Sequence, residues 1–69
     1  MVSSEMIKGF IGKNVVIYLD SNFKKFGKLM AADDDFVDLY YNDSAKHELI
    51  AVKTIESIRE DGRGGSSGR

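Results

Sequence analysis

The chain of 69 residues has no cysteine, no proline and no tryptophan, and it contains one histidine, His47. Without cysteine, neither disulfides nor thiolate metal sites can stabilise it, and a single histidine makes no convincing transition-metal cluster. Long apolar runs are also missing, since the longest, Val15 to Leu19, is far too short to span a bilayer. The N-terminus lacks the basic-then-apolar pattern of a secretory signal. We therefore expect a cytoplasmic protein with no membrane partner.

A surplus of positive charge is missing as well. Residues 1–61 carry eight Lys/Arg against eleven Asp/Glu, and the whole chain has a formal net charge of −1. A protein that neutralises many phosphates normally has a basic surplus on its binding face. The composition therefore argues against broad, charge-driven nucleic-acid binding, although the four lysines between residues 13 and 28 could still share one face.

The stretch 12–41 has the pattern of three consecutive strands. Val15, Ile17 and Leu19 occupy alternate positions, as in a strand with one face on a core. Gly27 lies inside the second strand, where a missing side chain usually marks a sharp bend or a close backbone approach. Because a small sheet needs such a bend to curl, the pattern predicts a small, strongly bent antiparallel barrel.

The rest of the chain completes one all-β domain over residues 1–61. Ser3 or Ser4 is expected to cap a short helix over about 4–10. Two apolar pairs on this helix are expected to cover one open end of the barrel: Met6 with Phe10, and Ile7 with Ile11. Strands are predicted at about 13–19, 23–32, 36–41, 48–52 and 55–60. Residues 62–69, rich in Gly, Ser and Arg, have nothing to bury and are predicted to form a disordered tail.

Seven residues of the first strands follow a characteristic order: Gly12, Val15, Ile17, Leu19, Gly27, Leu29 and Asp33. This order resembles the first sequence motif of the Sm/Lsm family, which includes bacterial Hfq and archaeal Sm-like proteins. The isoleucines of the family's second motif, Ile-Arg-Gly-x-x-Ile-x-x-Ile, are matched by Ile50, Ile55 and Ile58. The resemblance implies a short N-terminal helix followed by a five-stranded, strongly bent antiparallel SH3-like (Sm-like) barrel.

The resemblance also implies a site for single-stranded RNA in two loops. In the family, a residue of the third loop stacks on a base and an asparagine two positions later bonds its edge. With one extra residue in the acidic loop, Phe36 takes the stacking position and Asp38 the asparagine position. Ala51 and Val52 replace the arginine and glycine of the second motif, so Lys53 becomes the nearest cation.

Asp38 would change the chemistry of that site. An ionised carboxylate accepts a hydrogen bond from a base N–H but cannot donate one to a base carbonyl. A uracil edge needs both a donor and an acceptor, whereas guanine presents two adjacent N–H donors, so Asp38 favours guanine. The plainer alternative is that Phe36 is an apolar strand residue and Asp38 a solvent-facing carboxylate.

A core this small is marginal on its own, so the first expected partner is a second copy of the chain. In Sm-like proteins the fourth strand of one subunit pairs with the fifth strand of its neighbour and closes a ring. The resemblance therefore implies a homo-oligomeric ring of roughly five to seven subunits. The candidate interface residues lie on the last two strands: Leu49, Ile50, Val52, Ile55 and Ile58.

Catalytic motifs are missing from the sequence, and we expect neither enzymatic activity nor a cofactor. The acidic cluster that begins at Asp33 lacks the spacing of a Ca²⁺ loop and is interpreted as a solvated turn rather than a metal site. The main hypothesis is a non-catalytic, ring-forming scaffold for single-stranded RNA. Two alternatives stay open: a ring-forming assembly module without RNA binding, and a monomeric SH3-like adaptor.

Overall fold

The computed structural model describes residues 2–62. This part of the chain is mostly β, with one short helix and five strands in a single antiparallel sheet, which confirms the coarser part of the predicted fold. Apart from Gly62, the tail predicted at 62–69 lies outside the described residues. The elements are α1 (Ser4–Lys8), β1 (Asn14–Leu19), β2 (Lys24–Ala32), β3 (Phe36–Tyr41), β4 (Lys46–Ala51), a 3-10 turn (Val52–Thr54) and β5 (Ile55–Glu60).

The helix α1 begins at one of the two predicted caps, because the Ser3 hydroxyl accepts a hydrogen bond from the Met6 amide at 3.2 Å. It ends at Lys8, two residues early, since the following amides bond to carbonyls three residues back instead of four. Only part of its apolar face covers the sheet: Ile7 is fully buried and Phe10 packs on the core, whereas Met6 and Ile11 are exposed. Among the described residues, no helix has the length and apolarity that a membrane crossing requires.

The strands follow the order β4-β3-β2-β1-β5, so β4 and β5 are the two edges of an unclosed sheet. In a flat sheet these edges would be about 19 Å apart, because neighbouring strands are about 4.8 Å apart. The chain from Ala51 to Ile55, however, spans at most about 14 Å when fully extended. The sheet therefore curls, and register shifts in the β2–β3 and β1–β5 pairs add to the bend.

Gly27 explains how β2 follows this curl. It pairs with Val15 of β1, and a Cβ atom placed on it would lie 2.5 Å from the carbonyl oxygen of Tyr40 and 3.1 Å from Cγ of Leu39. No side chain fits into that space without a backbone shift. The close backbone approach expected at this glycine is confirmed.

The inner face of the curled sheet forms one apolar core with the helix. The alternation predicted for β1 places Val15 and Ile17 there, but Val16 is also buried because Phe26 and Arg59 flank it on the outer face. The buried apolar residues of the core cluster are Ile7, Val15, Ile17, Leu29, Val37, Leu39, Ile50, Val52, Ile55 and Ile58.

A polar contact holds the β3–β4 hairpin against β2. The Tyr41 hydroxyl donates a hydrogen bond to Glu48, whose carboxylate also lies 3.3 Å from the ammonium of Lys25. The Tyr41 hydrogen bond, with Lys25 as a second cause, lowers the pKa of Glu48. Burial and the neighbouring Glu48 raise the pKa of Tyr41 above its usual range. Both shifts favour a neutral tyrosine that donates to an ionised glutamate.

Gly27→Ala should destabilise the chain, because its new methyl group would overlap the Tyr40 carbonyl. Overpacking of this kind costs about 1–3 kcal/mol. The matched control is Gly62→Ala, where the added Cβ meets nothing within 4 Å. Urea unfolding followed by circular dichroism measures both, and equal free energies of unfolding for the two variants would contradict the close approach.

Candidate nucleic-acid interface

The acidic loop between β2 and β3 forms a turn that its own hydrogen bonds hold in shape. One carboxylate oxygen of Asp33 accepts hydrogen bonds from the amides of Asp35 and Phe36, both at 2.8 Å. These bonds, with the one from Phe36 the stronger, hold the pKa of Asp33 below its usual value. The turn fixes the direction in which β3 begins, and Phe36 is its first residue, with 49% of its surface exposed.

A second turn is attached to this loop. The Val52 amide donates a hydrogen bond to the Asp35 carbonyl at 2.8 Å, and the Thr54 hydroxyl donates one to the Ala51 carbonyl at 2.7 Å. The 3-10 turn after β4 is therefore held against the β2–β3 loop. As a result, Lys53 shares one surface depression of about 220 Å³ with Asp34, Asp35, Phe36 and Ala51.

Of the three predicted RNA-binding residues, Phe36 and Lys53 thus share this depression. Asp38 does not line it, but it lines a neighbouring depression together with Phe36 and Leu49. Its carboxylate lies 2.7 Å from Nδ1 of His47. One of its two carboxylate oxygens is therefore engaged by an imidazole, and the base-reading role of Asp38 stays a prediction.

His47 is the part of this surface that sequence reasoning missed. The fourth strand was predicted to begin at about residue 48, but β4 begins at Lys46 and includes His47, whose ring centroid is 5.0 Å from that of Tyr40. The register explains both contacts, because Tyr40 is directly opposite His47 and Asp38 is one diagonal step away. That register depends on the length of the β3–β4 turn, which was predicted two residues too long.

The outer face of β1, β2 and β5 carries a second aromatic surface. The guanidinium carbon of Arg59 and the ammonium of Lys24 each lie 5.8 Å from the ring centroid of Tyr18. Arg59 also donates a hydrogen bond to the Tyr18 hydroxyl at 3.1 Å, and the exposed ring of Phe26 borders the same depression. The two cations over the half-buried Tyr18 ring can attract phosphates, and the exposed ring of Phe26 can stack on a base.

The candidate interface residues fall into two groups. Ile50, Val52, Ile55 and Ile58 are buried in the core of the single chain, so their side chains have no area left to contribute to a second copy. Leu49, by contrast, is 68% exposed on the edge strand β4. The interface between copies stays a prediction. The groups that could form it are the backbone N–H and C=O groups of the edge strands and the side chain of Leu49.

Within residues 2–62, no group of three or more His, Cys, Asp or Glu side chains is arranged to hold a metal ion. The exposed groups of the two surfaces are aromatic rings, carboxylates and cations, which can stack on bases, accept or donate hydrogen bonds and attract phosphates. Comparison of the chain with protein-family models, with curated proteins and with solved structures finds no match.

Asp33→Asn should lower the free energy of unfolding at neutral pH, because a neutral amide oxygen accepts the two turn hydrogen bonds less strongly. Because the pKa of Asp33 is lower in the folded chain than in the unfolded chain, its ionised carboxylate stabilises the native state. This stabilisation is complete above the pKa of the unfolded chain, and it is lost as the pH falls through the pKa of the folded chain. The difference between wild type and variant should therefore shrink below about pH 4.

Denaturant unfolding from pH 3 to pH 7 measures this difference. Asp43→Asn is the matched control, since it removes the same charge from an exposed residue of the turn between β3 and β4. A wild-type advantage over Asp33→Asn that is the same at every pH would contradict the role of the ionised carboxylate in the turn.

Proposed function

We propose that this chain is an Sm-like protein: an SH3-like barrel that assembles into a homo-oligomeric ring and binds single-stranded RNA as a non-catalytic scaffold. The observation that carries RNA binding is the depression that the exposed Phe36 shares with Lys53. The proposed assembly is supported by the two edges of the unclosed sheet. Each part of the proposal has its own test.

The argument for assembly begins with the edge strands. Within residues 2–62, β4 pairs only with β3 and β5 pairs only with β1, which leaves one side of each without a backbone partner. Both edges have six residues, and the unpaired backbone groups of a free edge can pair with another chain. Pairing β4 of one copy with β5 of the next is a head-to-tail contact, which forms a ring when its rotation closes. The resemblance to Sm-like proteins gives roughly five to seven copies.

The argument for RNA rests on exposed aromatic rings next to cations. The ring of Phe36 is half-exposed at the start of β3, so a base can stack on it. Lys53 adds a positive charge in the same depression. Tyr18, Lys24 and Arg59 offer a second platform for bases or phosphates on the other half of the sheet. These local clusters compensate for a chain that lacks a basic surplus.

The alternative of an assembly module without RNA binding is favoured by a different observation. Leu49 and Phe36 are both exposed and line one depression, and Ala51 occupies the position of the family's arginine. Exposed apolar residues that are contiguous mark contacts with other proteins. RNA titration separates this alternative from the main proposal, and a solution mass separates both from a monomeric adaptor.

Leu49→Lys should dissociate the ring without unfolding the subunit. The side chain is mostly exposed in the single chain, and lysine on an edge strand discourages strand pairing. We expect the mass from light scattering to fall from about five to seven subunits towards one, with an unchanged circular dichroism spectrum.

Phe23→Lys is the control for this test, because Phe23 is equally exposed, at 68%, but lies outside both edge strands. This variant should keep the wild-type mass. A wild-type chain that is a stable monomer at micromolar concentration, or a Leu49→Lys variant of undiminished mass, would defeat the proposed assembly.

Phe36→Ala should weaken RNA binding by about 1–3 kcal/mol, the usual contribution of one stacked base. Fluorescence anisotropy with labelled hexaribonucleotides at one fixed salt concentration measures the loss. Phe23→Ala, which removes the same kind of ring from a position that is more exposed (68% against 49%), should bind as wild type does. If no oligomer binds the wild-type protein, the assembly module becomes the better account.

A further inference from the structure

The depression beside Phe36 contains two charged side chains of opposite sign that have no partner in the described part of the chain. Asp34, the third charged residue there, is held by the helix, since it accepts a hydrogen bond from Ser4 at 2.9 Å and lies 3.5 Å from the Lys8 ammonium. Among the described residues, the side chains of Asp35 and Lys53 make no hydrogen bond or ion pair, either with each other or elsewhere. Both groups are therefore available to a ligand in the depression.

Asp35 is nevertheless held in place. Its amide donates to the Asp33 carboxylate and its carbonyl accepts from the Val52 amide, both at 2.8 Å. The Asp35 carboxylate is thus an acceptor on a residue whose backbone N–H and C=O groups are both hydrogen-bonded. Preorganised acceptors lose little conformational entropy when they bind a ligand. Asp38, the acceptor that the resemblance to the family suggested, is engaged by His47 in another depression.

We propose that this depression selects guanine. This inference rests on the proposed function, since it names the base that the same site reads. The ring of Phe36 stacks on the base, the carboxylate of Asp35 accepts hydrogen bonds from N1–H and from the N2 amino group, and the ammonium of Lys53 donates to O6. The volume of about 220 Å³ is on the scale of a single base rather than of a larger ligand.

The other bases match these two groups less well. Guanine presents two neighbouring donors to a carboxylate and one acceptor to a cation. The imide N–H of uracil lies between two carbonyls, so a carboxylate that approaches it meets two oxygens of like charge. Adenine and cytosine each have a ring nitrogen that is an acceptor beside their single amino group. One oxygen of the Asp35 carboxylate could accept from the amino group, but the other would face the lone pair of the ring nitrogen.

The test uses four fluorescein-labelled hexaribonucleotides that differ at one central position, with guanine, inosine, adenine or uracil in an otherwise all-uridine strand. Wild type should bind the guanine oligomer about tenfold or more tightly than the uracil and adenine oligomers. Inosine lacks only the N2 amino group, so its affinity should fall between those of guanine and uracil.

Asp35→Asn tests the residue itself. An amide replaces one acceptor with a donor, so the preference for guanine over uracil should fall to about twofold or less. The Asp35 carboxylate has no hydrogen-bond or ion-pair partner within residues 2–62, so this variant should keep the wild-type circular dichroism spectrum. The matched control, Asp43→Asn, removes the same charge from an exposed turn and should keep the preference.

The possible failures are distinct. If the oligomers bind with Phe36-dependent affinity but without a guanine preference, or if Asp35→Asn keeps that preference, the selection of guanine is wrong and RNA binding stands. If no oligomer binds at all, the proposed function fails and the guanine inference fails with it.

Discussion

The three residues Val52–Thr54 impose the constraint on which the rest of the structure depends. They connect the two edge strands of a five-stranded sheet, and a flat sheet would hold those edges farther apart than the connection can reach. The sheet must curl, and the curl requires a backbone approach at Gly27 that excludes any side chain. A short loop and one glycine thus determine the shape of the inner face, which the apolar core fills.

The same short connection creates the candidate site. Because the Val52 amide bonds the Asp35 carbonyl, the turn that curls the sheet also holds the acidic loop, and Lys53 comes to share a depression with Phe36. Asp33 stabilises that loop from within through an ionised carboxylate. The three aspartates of the loop thus differ: Asp33 stabilises the turn, Asp34 contacts Ser4 and Lys8, and the Asp35 carboxylate makes no hydrogen bond or ion pair among the described residues.

Local patterns predicted the strands, and the family resemblance placed Lys53 as the nearest cation to Phe36, with which it lines one depression. Gly27 could be recognised because a glycine inside an apolar alternation has few other physical explanations. The contact of Asp38 with His47 could not be predicted, because it depends on the register of the β3–β4 hairpin. A two-residue error in the turn length changes which side chains are neighbours across the strands. Pairing between strands distant in sequence is also invisible to local patterns.

The central claim is that the two edges of the curled sheet are completed by neighbouring copies of the chain. Hydrogen–deuterium exchange of the backbone amides, measured over a range of protein concentrations, tests it most directly. The account predicts that outward-facing amides of β4 and β5 exchange as slowly as those of the central strands once the chain has assembled, and faster on dilution as subunits separate. Rapid exchange along both edges at the highest concentration, beside protected central strands, would contradict it.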